Sequence, residues 1–245
     1  MPAQAPAALA LSARPLMLWK QLRDDLQVIA HEHADAVLAS SLAAEDMVLF
    51  HAMSIYTPEL QTVTLDTGRL HEETLQLGRD IQQHYERPIL FFHPDPDRVQ
   101  EHVTTHGTHA FYESVELRKE CCAIRKVEPL RRALQGRSAW ITGQRREQTA
   151  SRTELSSKEY DSVFGLQKFN PLIEWTQDDV WAVIRGLSIP YNPLHDQGYP
   201  SIGCEPCTRA IRPGEDVRAG RCWWEQRDSL ECGLHASNLN SSFNT

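Results

Sequence analysis

No stretch of the 245 residues approaches the run of about 20 apolar side chains that a membrane-spanning helix needs, so no membrane association is expected. The opening "MPAQAPAALALSARP" has no basic residue ahead of its apolar part, since Arg14 comes late. It lacks the form of a signal peptide and reads as a frayed tail over residues 1–15, with the cytoplasm as the expected compartment. There is no internal repeat and no low-complexity block. No G-x-x-x-x-G-K-S/T loop is present, which excludes a P-loop. The glycines of an S-G-G-x-D-S pyrophosphate loop are missing as well, which disfavours an ATP-using adenylyltransferase or thiolase. Net positive charge is also lacking: the balance is −8, which argues against nucleic acid as a partner.

What is present is enough apolar residue, 41%, for a sizeable core in a chain the length of one generous domain. The charge is uneven. Between Arg118 and Arg152 ten basic residues face three acids, an excess that suggests a small polyanion as ligand and that solvated helix faces could also explain.

Short β-branched or aliphatic runs alternate with helical patterns. "ADAVLASSL", "LQTVTLDTG", "RPILFFHP" and "SAWITGQ" read as strands. Helices are expected from about Glu45 to Tyr56, over "RLHEETLQLGRDIQQHY", over "RKVEPLRRALQG" and after Thr176, which is a good N-cap. This alternation predicts an α/β fold with an open, mostly parallel sheet flanked by helices and right-handed crossovers. Ligands of such sheets bind beyond the carboxyl ends of the strands. Three polar strand ends, "SSLAAED", "LDTGR" and "TGQRREQTASR", should then gather at one edge. The first two also read as ordinary capped helix starts, with Ser40 or Ser41 and Asp66 as the caps. The third, with three arginines and three small hydroxyls, reads as an anion site or a solvated loop.

Six cysteines stand at 121, 122, 204, 207, 222 and 232. A disulfide framework does not suit a long, cytoplasmic-looking chain. Cys204-Glu-Pro-Cys207 is a C-x-x-C, compatible with zinc, a redox dithiol or iron–sulfur. The adjacent pair Cys121-Cys122 chelates one small ion awkwardly, because neighbouring side chains diverge by about 100° on a helix. A cubane offers separate corners, and flanking Arg and Lys would offset its charge. Iron–sulfur, zinc and unligated thiols all remain open at this level. Trp223 and Trp224, beside Arg221, suggest a cation–π wall or an anchor for the C-terminus. Beyond them "ECGLH" sits in a polar segment without hydrophobic period, read as a mobile tail.

Taken together, "KECCAIRKVEPL", "ITGQRREQTASR", "NPLIEWTQDDVW", "YPSIGCEPCTR", "GEDVRAGR" and "ECGLH" resemble the assimilatory adenylylsulfate reductases, the iron–sulfur type within the PAPS/APS reductase family. The likeness runs from "SSLAAED" to "ECGLH". It implies an adenine nucleotide α-hydrolase-like (Rossmann-like) fold. It also implies thioredoxin- or glutaredoxin-dependent reduction of adenylylsulfate to sulfite and AMP through an S-sulfocysteine. Phosphoadenylylsulfate is the alternative substrate on the same scaffold. By the resemblance, Cys121, Cys122, Cys204 and Cys207 would ligate one 4Fe–4S cluster. Cys232 would be the nucleophile, and Lys126 would lie between cluster and substrate. Arg218 and Arg221 would hold the phosphosulfate. Ser40, Ser41, Asp66, Thr67 and Gly68 would hold the adenosine, and Arg145, Arg146 and Arg152 would belong to an arginine-rich loop. Residues 16–225 would form the catalytic domain and 226–245 the tail carrying Cys232; the family also allows for a homo-oligomer. Cys222 stands where relatives tend to carry a third tryptophan, and it reads as a spare thiol. His235 would tune Cys232 or only solvate the tail.

Overall fold

The computed structural model describes residues 11–148 and 155–225. The chain divides into two compact units interleaved along the sequence. The first is Met1–Thr64, Glu72–Leu90 and Gly136–Pro193; the second is Leu65–His71, Phe91–Gln135 and Leu194–Thr245. Among the described residues no helix is long and apolar enough to cross a membrane.

In chain order the elements are α1 (Ala13–Glu32), β1 (Val37–Ser40), α2 (Ala44–Tyr56), β2 (Gln61–Leu65), α3 (Glu72–Tyr85) and β3 (Leu90–Phe92). They continue with α4 (Pro96–His106), α5 (Val115–Cys122), α6 (Glu128–Leu134), β4 (Ala139–Ile141), β5 (Lys158–Asp161), β6 (Leu166–Phe169) and α7 (Gln177–Gly186). The strands form one sheet in the order β3-β2-β1-β4-β6-β5. β1 runs parallel to both β2 and β4, β4 runs parallel to β6, and β5 returns antiparallel at the edge. The mostly parallel sheet read from the alternation is therefore present. Because the chain leaves β1 for β2 on one side and comes back to β4 on the other, the switch point lies between β1 and β4.

The first unit holds the larger core. Leu38, Met47, Phe50, Ile81, Trp140, Ile141 and Val183 are all essentially inaccessible. α2 is buried almost all round from Ala44 to Met53, as befits a helix covered by its sheet and by α1 and α7. α7 starts with a capping box: Thr176 and Asp179 each bond the other's backbone N–H. α1 begins at Ala13, inside the stretch read as a tail, and Arg14 pairs with Asp179 at 2.9 Å.

In the second unit the helical run from α5 to α6 contains a wider turn of π geometry, Ala123–Val127. Pro129 accounts for it. A proline ring collides with the carbonyl four residues back, here that of Arg125, and a π turn relieves the clash without ending the helix.

Candidate functional site

At the switch point, Ser40 and Ser41 end β1 and lead into α2. Ser40 Oγ accepts from Leu42 N at 3.1 Å, and Leu42 sits at φ 61, strained for a residue with a side chain. Neither serine caps the helix. The cap position is Ala43, whose side chain offers no acceptor to the amino end of α2. Both Ser41 N, at 2.6 Å, and Ser41 Oγ, at 2.7 Å, instead donate to Asp46 Oδ2. Burial pushes the Asp46 carboxyl up to about 6 against those hydrogen bonds. The loop after β4 comes very close, since a Cβ on Gly143 would lie 2.5 Å from Asp46 Oδ1. Sequence reasoning missed Asp46 and Gly143 as partners. The acid two residues past "SSLAA" and the glycine after β4 were the available signals.

Arg145 in the following loop is buried and held internally. Its guanidinium meets Glu45 and Glu147, each at 2.9 Å, and the carbonyl of Trp175. Arg146 is half-exposed and pairs with Glu174 at 2.8 Å. Arg152 lies outside the described residues.

The second unit gathers the thiols. Cys121 and Cys122 end α5, and Cys204 leads into a single tight turn, Glu205–Cys207. That turn is fixed by Cys207 N donating to Cys204 O at 3.0 Å and by Thr208 Oγ1 donating to the same carbonyl at 2.9 Å. Each of the four cysteines has a polar or cationic neighbour. Thr67 Oγ1 is 3.3 Å from Cys204 Sγ. Arg125 hydrogen-bonds Cys121, and its Nη1 donates to Thr67 O at 2.7 Å. Lys126, buried in the π turn, acts on Cys207, and Arg118 feels the charge of Cys122. Arg69 adds positive potential at Cys121. The Cys121 thiol is pushed up chiefly by burial, and Cys207 chiefly by its hydrogen bond with Cys222. Cys222 is therefore no stray thiol: it is buried against Cys207, at φ 43, and its N–H donates to Cys207 O at 3.0 Å.

Among the described residues no three cysteine sulfurs fall within 4.8 Å of one another. Four sulfurs on one tetrahedral zinc would sit about 3.8 Å apart. The set is more open than a single zinc needs and is compatible with a metal cluster, whose thiolates each take a separate corner.

Asp66, Thr67 and Gly68 follow β2. Asp66 accepts from Gly68 N at 2.9 Å, and Gly68 takes φ +67, where a side chain would be strained. Asp66 is thus the acceptor of this turn, and α3 starts later, at Glu72. Arg221 is buried and donates to Ile202 O at 2.9 Å, while its Nε has no hydrogen-bond partner among the described residues. Arg218 is half-buried, its N–H donating to Asp216. Trp224 packs edge-on to Tyr112 with ring centroids 4.4 Å apart, whereas Trp223 is half-exposed. Arg118, fully buried, forms an ion pair with buried Glu225, the last described residue. Cys232 and His235 lie outside the described residues.

The sheet order and its switch point are those of the nucleotide α-hydrolase fold. Among solved structures, the chain resembles the phosphoadenylyl-sulfate (PAPS) reductase of Candida auris in its phosphate complex. The TM-score is 0.67 and the identity 25%, over 82% of this chain and 98% of that one. The FMN adenylyltransferase of Candida glabrata, at 12% identity and TM-score 0.58 over 94% of this chain and 80% of that one, shares the fold alone. Residues 35–210 match the model of the phosphoadenosine phosphosulfate reductase domain. The adenosine 5'-phosphosulfate reductase of Burkholderia cepacia is 56% identical over 87% of this chain and 86% of its own length. That of Allochromatium vinosum is 51% identical over 86% and 82%. The chain belongs to the family of adenosine 5'-phosphosulfate and phosphoadenosine phosphosulfate reductases, and it is an oxidoreductase acting on sulfur.

Proposed function

We propose that this chain reduces adenylylsulfate to sulfite and AMP, with Cys232 as nucleophile, a thioredoxin-type dithiol as reductant and a 4Fe–4S cluster on Cys121, Cys122, Cys204 and Cys207. The reading is carried by the open four-thiol set, ringed by Arg69, Arg118, Arg125 and Lys126, in a chain whose relatives bear the name of that reaction. Four thiolates on a cluster make an anionic centre, and positive side chains at this spacing offset it.

In the mechanism, the Cys232 thiolate attacks the sulfonyl sulfur. The sulfur–oxygen bond to the phosphate breaks, and AMP leaves with the electron pair. The enzyme then holds an S-sulfocysteine. One thiolate of the dithiol attacks Cys232 Sγ and releases sulfite, and its partner thiol resolves the mixed disulfide, returning Cys232 as thiolate. Both electrons come from the dithiol, and the cluster supplies structure and electrostatic field when bound.

The barrier to the first step is repulsion. Two unit negative charges ~4 Å apart cost about 4 kcal/mol at an effective dielectric of 20. Lys126, Arg218 and Arg221 offset that cost and stabilise charge on the departing phosphate. Ser40, Ser41 and the Asp66-Thr67-Gly68 turn hold the adenosine. The uncapped amino end of α2 favours a negatively charged or polar ligand. Arg146 and Arg152 extend the anion loop, which Arg145 shapes through Glu45 and Glu147. Residues 226–245 carry Cys232 first to the substrate and then to the dithiol, in the cytoplasm.

A Cys232→Ser variant should bind the nucleotide yet release no AMP above background; normal turnover would refute the nucleophile assignment. Anaerobically purified protein should be brown, with iron and sulfide in equal amount. A colourless protein holding one zinc on these cysteines would overturn the cluster. Turnover of adenylylsulfate should exceed that of phosphoadenylylsulfate on the same preparation.

A further inference from the structure

We propose that His102, His106 and Glu120 form a second metal site, separate from the four cysteines, for a borderline divalent ion of the zinc type. α4 carries His102 and His106 four residues apart, which puts both imidazoles on one helix face. Glu120, near the end of α5, completes the set. His102 Nδ1 is 3.2 Å from Glu120 Oε1, and His106 Nε2 is 3.8 Å from Glu120 Oε2. The three ligand atoms all lie within 4.8 Å of one another. Around a tetrahedral ion with ligands ~2 Å away, they would stand about 3.3 Å apart. A small rotation of His106, whose side chain is 35% exposed, closes that gap.

An ion pair alone does not account for the arrangement. His102 is 7% exposed, and its Nδ1 is buried with no hydrogen-bond partner among the described residues, despite its nearness to the carboxylate. The nitrogen therefore points into the cluster without donating to it, which is the posture of a ligand whose lone pair awaits a cation. Two imidazole nitrogens and one carboxylate oxygen are the donors that zinc prefers over calcium or magnesium. The partial exposure of His106 and Glu120 gives the ion an entry path and leaves a fourth position for water. Occupied, the site ties the end of α4 to the turn of α5 immediately before Cys121.

The test uses full-length holoenzyme without a polyhistidine tag, equilibrated with Zn²⁺ and freed of excess, with zinc and iron measured in the same sample. Wild-type protein should hold one zinc more per chain than His106→Ala and Glu120→Gln, at unchanged iron content. Equal zinc in wild type and both variants, or none in wild type, would overturn the site. A second measurement needs no variant. The X-ray absorption edge of the bound zinc should show nitrogen and oxygen neighbours, including imidazole, and a sulfur shell would defeat the proposal. Because iron is followed separately, failure of this site and failure of the cysteine cluster are told apart.

Discussion

In the first unit the loops at the carboxyl ends of the strands are organised by acids. Asp46 binds both the N–H and the hydroxyl of Ser41, and Glu45 holds Arg145. In the second unit the order is reversed, with cations arranged around thiols: Arg125 at Cys121, Lys126 at Cys207 and Arg118 at Cys122. The first arrangement fixes the loop backbone through buried carboxylates. The second is stable when negative charge fills it.

The contrast can be broken most severely at the thiols. Cys204→Ser should lose most of its iron, read by iron and sulfide assay, while nucleotide binding survives; full iron retention would remove the second unit's defining feature. Next is Arg118→Met, which strands buried Glu225 without its partner. It should cost ~3–5 kcal/mol in denaturant unfolding, and adding Glu225→Gln should restore part of that. A loss below about 1 kcal/mol would mean the pair behaves as a surface contact.

In the first unit Gly143→Ala forces a methyl against Asp46. It should cost ~1–3 kcal/mol and weaken nucleotide binding, with iron unchanged. An alanine enzyme of full affinity would show that the two loops can part freely.

The smallest effect is a slope. Asp46 folded titrates near 6 against 3.8 for the free group, so the native state holds its proton between those values and stability falls as pH rises through them. Burial pushes His51 down to about 4. The unfolded state therefore binds that proton first, and stability falls as pH drops from 6.5 towards 4. The two trends oppose each other. Asp46→Asn should leave the histidine trend alone, so that between pH 6 and 4 the variant loses stability more steeply than wild type, by ~1 kcal/mol per pH unit. Parallel curves would contradict a buried, proton-holding Asp46.

The first unit was largely legible in the sequence because its signals are local. β1, β2, β3 and β4 fall within the four apolar runs, and Thr176 caps α7 as its side chain predicts. The antiparallel β5–β6 edge escaped because "KEYD" and "LQKF" are too polar to announce strands. α1 escaped because Ala and Pro at the start suggest fraying, whereas its apolar positions Leu18, Leu22, Leu26 and Ile29 fall at helical spacing and are buried. The second unit yielded its cysteines as a motif, but their neighbours are fixed by contacts across long sequence separations. Thr67 reaches Cys204 and Arg118 reaches Glu225, and no pattern of residues near either partner encodes such a contact.

The Arg118–Glu225 pair sets a radius. Cys232 lies seven residues beyond Glu225, and seven residues at full extension cover no more than about 25 Å. With Glu225 pinned to α5, the nucleophile proposed at Cys232 would work on a leash, and a dithiol resolving it would have to bring its own sulfur inside that sphere. On the proposed function, the reductant would be selected by how deeply its active-site rim protrudes, before any chemistry is exchanged.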